Sequence, residues 1–419
     1  MKFSQRLLEL ADKAERELAD IFKELDQTEF LNLNRVMDAF AEYRVADAMF
    51  DSTSGYGYDD KGRDTLDEIW AKVMGAEAAL VRHNIVSGTH ALTIGLFGLL
   101  RPGDIMFSIA GKPYDTLEEV IGIVGEAGNG SLRDFGVEYM QADFKDGGFD
   151  FETIERVLRE NAGRVKVVFI QKSKGYLNRK TLTVKEIGEV VKLVKSVSPE
   201  TFVVVDNCYG EFVEREEPTM VGADLIIGSL IKNPGGGMAE SGGYFAGSKK
   251  AIELVSYRLT SPGVGGEVGA TLGQNKSLYK GLFYAPHTVA EAIKTAHFAA
   301  YIFENLGFKV EPKSIDRRAD IIQTVITEDP EKLCAFCRGI QAGSPVNAHV
   351  TPVPWAMPGY TDEVIMAAGT FTQGASIELS ADGPLRAPYT AFFQGGLTYQ
   401  SGKLGILSAA QEMIDSGLI

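Results

Sequence analysis

A chain of 419 residues has room for two or three domains and a substantial buried core. A hydrophobic content of 45% and a charged content of 24% are ordinary for a folded chain, and a formal net charge of −15 argues against nucleic acid or an anionic membrane, which select a basic face. Three cysteines (Cys208, Cys334, Cys337) are too few and too odd for a disulfide framework, Met1 to Arg6 lack the apolar core of a signal peptide, and no run approaches the roughly 20 apolar residues of a membrane span, so a cytoplasmic protein is expected.

Leu7, Ala11, Ala14, Leu18, Ile21 and Leu25 fall on one helical face and predict a helix from about Ser4 to Leu25. Phe30, Leu33, Met37 and Phe40 predict a second. Both stripes need cover, from the C-terminal domain or from a partner subunit. Ser52 to Asp64 is too rich in Gly, Tyr and charge for a core element and reads as a loop, of a composition that also suits phosphate or carboxylate recognition. A helix over Thr65–Met74 and a strand over Ala78–Val81 follow. Ser87-Gly88-Thr89-His90 then opens the helical run Ala91–Leu100. A small-residue turn there directs N–H groups and the positive dipole end outward, as a phosphate requires, although a plain Ser cap reads the same way. Past the strand Ile105–Ile109, Gly111-Lys112-Pro113 leads to Tyr114, an aromatic able to stack on a flat cofactor or simply to pack.

Val165–Ile170, Phe202–Asp206 and Asp224–Gly228 are further apolar strand runs separated by helical ones. Together they predict an α/β fold, a mostly parallel sheet covered by helices on both faces, followed by a smaller C-terminal α/β domain. Ligands bind at the carboxyl edge of such sheets. Asp206 ends one strand, and Lys232 lies just past the next, in Ser229-Leu230-Ile231-Lys232-Asn233-Pro234-Gly235-Gly236-Gly237. Pyridoxal 5'-phosphate (PLP) needs such a pair: a Lys amine to hold it covalently and an Asp to keep its ring nitrogen protonated. Lys-Asn-Pro-Gly alone is ordinarily a solvated turn; the upstream Asp and the phosphate turn decide for a site.

Gly242–Gly247 reads as the returning strand, and the five glycines within Ser261–Gly273 as an active-site loop or subunit contact. Pro286–Leu306 predicts a helix joining two domains, with strands at Ile321–Ile326 and Ala375–Leu379 beyond it. Cys334-Ala335-Phe336-Cys337 has no second Cys pair and reads as helix packing, and no metal site is expected from the scattered histidines. His90, beside the phosphate turn, is the one histidine placed for cofactor contact.

Tyr58 to Thr65, Gly75-Ala76-Glu77-Ala78-Ala79-Leu80, Ser87-Gly88-Thr89, Tyr114, Asp206 and Ser229-Leu230-Ile231-Lys232 resemble, in order, the cysteine/methionine-metabolism branch of fold-type I PLP enzymes. Ser52–Arg63, Asp206–Phe212 and Lys232–Gly237 are similar to one group of it, the methionine γ-lyase-like or aluminium-resistance carbon–sulfur lyases. The resemblance implies an N-terminal helical arm (1–50), a large PLP-binding domain (51–295) and a small C-terminal domain (296–419). It implies PLP on Lys232, its ring nitrogen on Asp206, Tyr114 stacked on the ring, and the phosphate held by Ser87, Gly88, Thr89 and Ser229. Tyr58 and Arg63 would reach the cofactor of a neighbouring subunit in a homo-oligomer, a dimer of dimers. Arg386 would grip the substrate carboxylate, with Tyr56 beside it. Branch members carry an Arg where this chain has Asp60, so Arg63, or Lys61, is expected to replace it. They also carry an Asn where this chain has Gly175, leaving Ser173 or Lys174 as stand-ins.

The implied activity is elimination of a thiol from a sulfur amino acid, of the methionine γ-lyase or cystathionine β-lyase kind, giving a 2-oxo acid and ammonia. Another PLP reaction, of the aminotransferase, decarboxylase or aldolase type, and a non-catalytic PLP-binding protein linked to metal tolerance are the alternatives.

Overall fold

Val165–Gln171, Phe202–Asp206 and Leu225–Ser229 are apolar at nearly every position, and in the computed structural model they lie side by side, parallel, in the middle of a seven-stranded sheet. Continuous apolar runs are what strands covered on both faces require. The structure describes residues 3–177, 179–357 and 360–419; Met1 and Lys2 of the N-terminal segment lie outside them.

In chain order the helices are α1 (Gln5–Glu17), α2 (Ala19–Glu42), α3 (Lys61–Met74), α4 (Gly88–Leu99), α5 (Asp115–Ile121), α6 (Phe151–Glu160), α7 (Val184–Val197), α8 (Lys249–Leu259), α9 (Asn275–Asn305), α10 (Pro330–Ala342) and α11 (Tyr399–Asp415). The strands are β1 (Ala78–Arg82), β2 (Ile105–Ser108), β3 (Glu138–Gln141), β4 (Val165–Gln171), β5 (Phe202–Asp206), β6 (Leu225–Ser229), β7 (Gly243–Gly247), β8 (Lys309–Glu311), β9 (Gln323–Ile326), β10 (Val364–Ala367), β11 (Ser380–Pro384) and β12 (Thr390–Gln394).

One compact unit, residues 34–230 and 239–280, holds the large sheet in the order β1-β7-β6-β5-β4-β2-β3. Its strands are parallel except β7, which runs antiparallel to both β6 and β1. Leu92, Leu96 and Leu99 of α4 pack with Ile252 and Val255 of α8 and with Phe169, Val204 and Ile227 of the sheet in one core.

The other unit comprises residues up to 33, 231–238 and 281–419, and its five strands, β10-β11-β12-β9-β8, are antiparallel throughout. Here the stripe of α1 finds its cover: Leu7, Ala11, Ala14 and Leu18 share a core with Phe298, Phe336, Ile406 and Met413. Glu15 accepts hydrogen bonds from the Tyr399 hydroxyl (3.0 Å) and from Lys403 Nζ (2.7 Å). The expected arm of residues 1–50 is thus not a separate body, and the expected boundary after residue 295 falls inside α9.

Three elements differ from expectation. The break between the two N-terminal helices falls at Leu18, inside the first expected helix, and the second runs on unbroken from Ala19 to Glu42. α9 begins at Asn275 rather than Pro286, which lies inside it; a proline ordinarily marks a helix start because it lacks the N–H an interior position donates. Ala375–Leu379 is turn, not strand, although Ile377 and Leu379 are buried. Apolar alternation there reports burial, not strand pairing.

Candidate active site

Within the large-sheet unit, three chain segments converge at the carboxyl edge of the strands. Asp206 ends β5 opposite Gln171 of β4, and its Oδ1 accepts the Cys208 N–H at 3.1 Å. Ser229 ends β6. Ser87 caps α4, its hydroxyl accepting the His90 N–H at 3.0 Å, so the N–H groups of Gly88 and Thr89 fall outside the helical ladder. A Cβ added to Gly88 would stand 3.4 Å from Cys208 Sγ and 3.7 Å from Ser229 Cβ, so the helix start abuts both strand ends. The Ser229 side chain is buried (1% exposed) and its hydroxyl has no hydrogen-bond partner among the described residues. A buried hydroxyl without a partner is costly, and beside a helix N-terminus it fits an anionic oxygen. These residues therefore fit a phosphate group.

Tyr114 precedes α5, and its ring stands 5.8 Å from that of Tyr176. Thr89 Oγ1 and Thr116 Oγ1 are 2.7 Å apart, joining the starts of α4 and α5. Gly175, where the resemblance calls for Asn, has φ +55, and a Cβ there would stand 2.9 Å from Tyr114 Cδ2. A side chain at this position would press on the Tyr114 ring. Ser173 and Lys174, the expected stand-ins, are both buried.

Lys232 follows β6 through Leu230 and Ile231 and precedes a short helical turn, Asn233–Gly235. In its own unit that turn lies directly on α9: a Cβ on Gly236 would meet Gly281 O at 2.4 Å, and one on Gly281 would meet Gly235 O at 2.5 Å. Only glycine permits such backbone-to-backbone approach, so the glycine run fixes where the lysine sits.

The loop before α3 is organised by Asp60, not by a cation. Asp60 caps α3 by accepting the Arg63 N–H (2.9 Å), and it also accepts the hydroxyls of Thr53 and Thr271 (2.9 Å for Thr271) and Asn275 Nδ2 at 3.4 Å. Burial works to raise its pKa, but these donors outweigh it and hold the carboxyl below its ordinary value. The stabilisation is complete above the ordinary carboxylate range and is lost as the pH falls through the folded-state value. Asp60→Asn should flatten the acid limb of a plot of melting temperature against pH, and Asp60→Ala should destabilise at pH 7 by about 2–4 kcal/mol. Thermal melts from pH 7 to pH 3 measure both.

Arg63 is the residue expected to reach a neighbouring subunit's cofactor. It is buried (3% exposed) and donates to the carbonyls of Gly57 (2.6 Å), Gly269 (3.0 Å) and Glu267 (3.2 Å), closing the loop onto the Ser261–Gly273 segment. Its guanidinium is engaged within the chain, which leaves the exposed Lys61 as the cation of that loop. Tyr56 and Tyr58 are exposed, at 76% and 59%, with rings 5.8 Å apart.

Arg386 is the residue expected to grip the substrate carboxylate. It lies in the hairpin between β11 and β12, paired with Asp362 at 2.9 Å. Ser380 pairs with Gln394 at the other end of those strands, where a Cβ on Gly395 would meet the Ser376 carbonyl and one on Gly374 would meet Ile231 Cδ1 at 3.5 Å. Four residues of strand, roughly 13 Å, separate Arg386 from the end beside the lysine turn. Sequence reading missed Arg318, which lies at that nearer end: its Nη2 donates to Gln323 Oε1 (2.5 Å) and Ala296 O (3.1 Å), while its Nε and Nη1 have no hydrogen-bond partner among the described residues.

His90 Nδ1 accepts the Val86 N–H at 3.2 Å, a local contact. Cys334 and Cys337 are buried in the core of α10, where burial pushes both thiols above their ordinary pKa. Among the described residues Glu29, His287 and Glu291 stand close enough to share an ion. Glu291, however, receives Lys294 Nζ at 2.7 Å and the Tyr399 N–H at 2.8 Å, and Lys294 also pairs with Asp26 at 2.6 Å, which makes it a helix-to-helix ion network.

Sequence reading also missed a buried polar layer behind Asp206. Glu217 accepts Asn207 Nδ2 (3.0 Å) and the Phe212 N–H (2.9 Å), Glu211 accepts the Tyr244 hydroxyl (2.9 Å), and Lys172 Nζ lies 3.3 Å from Glu214. Lys172, Glu211, Glu214 and Glu217 are all buried. The only hint in sequence is three-residue spacing of carboxylates in Glu211-Phe212-Val213-Glu214-Arg215-Glu216-Glu217, which also describes a solvated helix face.

A mostly parallel sheet with an acidic strand end, a helix start that fits a phosphate and a glycine-fixed lysine turn have the architecture of fold-type I PLP enzymes. A pyridoxal-5'-phosphate dependent protein from Escherichia coli, YhfS, shares that fold at 16% identity with a TM-score of 0.61, over 94% of this chain and 97% of that one. Residues 7–414 match the methionine gamma-lyase family, and the chain belongs to that family of PLP-dependent lyases. It is 51% identical over 414 residues to the uncharacterized protein YnbB of Bacillus subtilis (strain 168), covering 99% of this chain and 98% of that one. It is similar to a carbon–sulfur lyase involved in aluminum resistance from Clostridium novyi NT, at 49% identity with a TM-score of 0.94, over 98% of this chain and 96% of that one. Among the described residues no helix is long and apolar enough to cross a membrane.

Proposed function

We propose that this lyase eliminates a thiol from a sulfur-containing amino acid and releases a 2-oxo acid and ammonia. The convergence of Asp206, Ser229 and the start of α4 at one sheet edge carries the reading, supported by the family and by Lys232 following β6. Lys232 would hold PLP, Asp206 its ring nitrogen, and Ser87, Gly88, Thr89 and Ser229 its phosphate. When bound, PLP supplies a sink for the electrons left at Cα. The Lys232 amine would serve as the base that removes the Cα proton. The C–S bond then breaks at Cβ, or at Cγ after a second proton transfer, and the Tyr114 hydroxyl donates the proton the departing sulfur needs. Water completes the reaction by hydrolysing the remaining C–N bond.

An amino-acid panel tests this. The expected result is 2-oxo acid and ammonia from an L-cysteine or L-methionine derivative in equal amounts with the thiol. A requirement for an amino acceptor, or no turnover of any member, overturns it. Arg386 is exposed and paired with Asp362, so Arg386→Ala should leave KM within about twofold, since an exposed ion pair contributes little. A steady-state KM comparison decides.

We also propose a homo-oligomer, a dimer of dimers, in which the Tyr56–Lys61 loop serves a neighbouring subunit's phosphate. The exposed Tyr56 and Tyr58 pair and the exposed Lys61 support this. Mixing inactive Lys232→Ala and Lys61→Ala subunits should restore part of the activity, and a fully active monomer excludes it.

A further inference from the structure

The turn that follows Asp206 is held in a conformation its residues do not favour. Tyr209 has φ +72 and Phe212 φ +61, both in the left-handed region that a side chain disfavours. Gly210 between them has no room for a Cβ, which would stand 2.6 Å from Lys172 Cδ. One side chain closes this turn. Glu217, 0% exposed, takes the Phe212 N–H on Oε1 at 2.9 Å and Asn207 Nδ2 on Oε2 at 3.0 Å, so one carboxylate ties the start of the turn to its end. The start is itself anchored to the sheet, because the Asn207 N–H donates to Ile227 O at 2.9 Å. A buried carboxylate costs more than an amide of the same size, so its retention calls for a reason beyond packing. Burial raises the Glu217 pKa, with Lys172, Arg35 and the two donors opposing.

We infer that Glu217 is a positioning residue for Asp206: it closes the strained Asn207–Phe212 turn and so fixes the strand end that presents the Asp206 carboxylate. The inference rests on the reading that Asp206 meets the PLP ring nitrogen. Lys172 supports the turn from the other side, donating to Gly210 O at 3.3 Å and pairing with Glu214.

Two substitutions separate shape from charge. Glu217→Ala removes both acceptors. Glu217→Gln keeps the volume and the acceptor for Phe212, and Asn207 can turn over to meet the new amide, because its Oδ1 has no hydrogen-bond partner among the described residues. Three quantities are read: amide exchange over residues 208–213 without added cofactor, affinity for pyridoxal 5'-phosphate, and the pH at which the bound cofactor's visible absorbance changes. Glu217→Ala should exchange faster in the turn, bind about tenfold more weakly and shift that pH, whereas Glu217→Gln should stay within about threefold of the parent. A Glu217→Ala protein with faster exchange but unaltered affinity and pH profile shows a purely structural role and overturns the inference. If Glu217→Ala does not fold, Asn207→Ala removes one end of the tie and is measured in the same three ways. Faster exchange with weaker binding and a shifted pH supports the inference there too, and faster exchange alone overturns it. A parent protein that binds no pyridoxal 5'-phosphate at all overturns the reading of the site, and the role of Glu217 falls with it.

Discussion

Lys232→Ala is expected to lose turnover by about a thousandfold or more, because one amine serves both as the covalent anchor and as the base at Cα. Reduction with borohydride followed by peptide mapping should locate the cofactor on Lys232 in the parent protein and on no residue in the variant. The variant should keep its fold, since the turn's position depends on Gly235 and Gly236 against Gly281 rather than on the lysine side chain. A cofactor mapped to another lysine, or activity within tenfold of the parent, would overturn the assignment.

Asp206→Asn is expected to reduce the rate by roughly a hundredfold or more. A close ion pair at an effective dielectric near 20 is worth on the order of 4 kcal/mol, and about 1.4 kcal/mol corresponds to tenfold in rate. Asn preserves the shape and accepts the Cys208 N–H as Asp does, so the loss isolates charge. Its companion measurement is the visible spectrum of the loaded protein, whose pH dependence should shift as the ring nitrogen loses its counter-charge. Near-normal kinetics with an unshifted spectrum would remove Asp206 from the site.

The places of these two residues in the fold were legible in the sequence because each sits where a local pattern ends. β5 begins and ends at the residues its apolar run marks, and Asp206 is the last of them. Lys232 stands between a strand run and a glycine run, and each of those patterns has one dominant structural meaning. Arg63 was not legible in the same way. Its partners Glu267 and Gly269 lie 204 and 206 residues away, and a buried arginine bound to backbone carbonyls looks, in sequence, like an arginine waiting for a phosphate. Asp60 escaped for the same reason, its partners Thr271 and Asn275 being 211 and 215 residues distant. Ala375–Leu379 misled because burial and strand pairing give the same alternation of apolar residues. Glu217 escaped because nothing in its neighbourhood distinguishes an inward carboxylate from the outward Glu216 beside it.

The order of strands in the large sheet bears on how the chain is made. Among the described residues β1 pairs with β7 alone, with Ala78 opposite Gly247, and β7 separates it from β6. During synthesis β1 therefore emerges long before its partner exists, and closing that long loop adds an entropic barrier to completing the sheet. α1 waits longer still, since Lys403 of α11 meets Glu15 across 388 residues. Until α9, α10 and α11 have been made, Leu7, Ala11, Ala14 and Leu18 lack the complete core they enter, and the nascent chain presents an apolar stripe that chaperones recognise and neighbouring chains can capture. A chain cut short before α11 should consequently aggregate rather than fold into a smaller, cofactor-binding remnant.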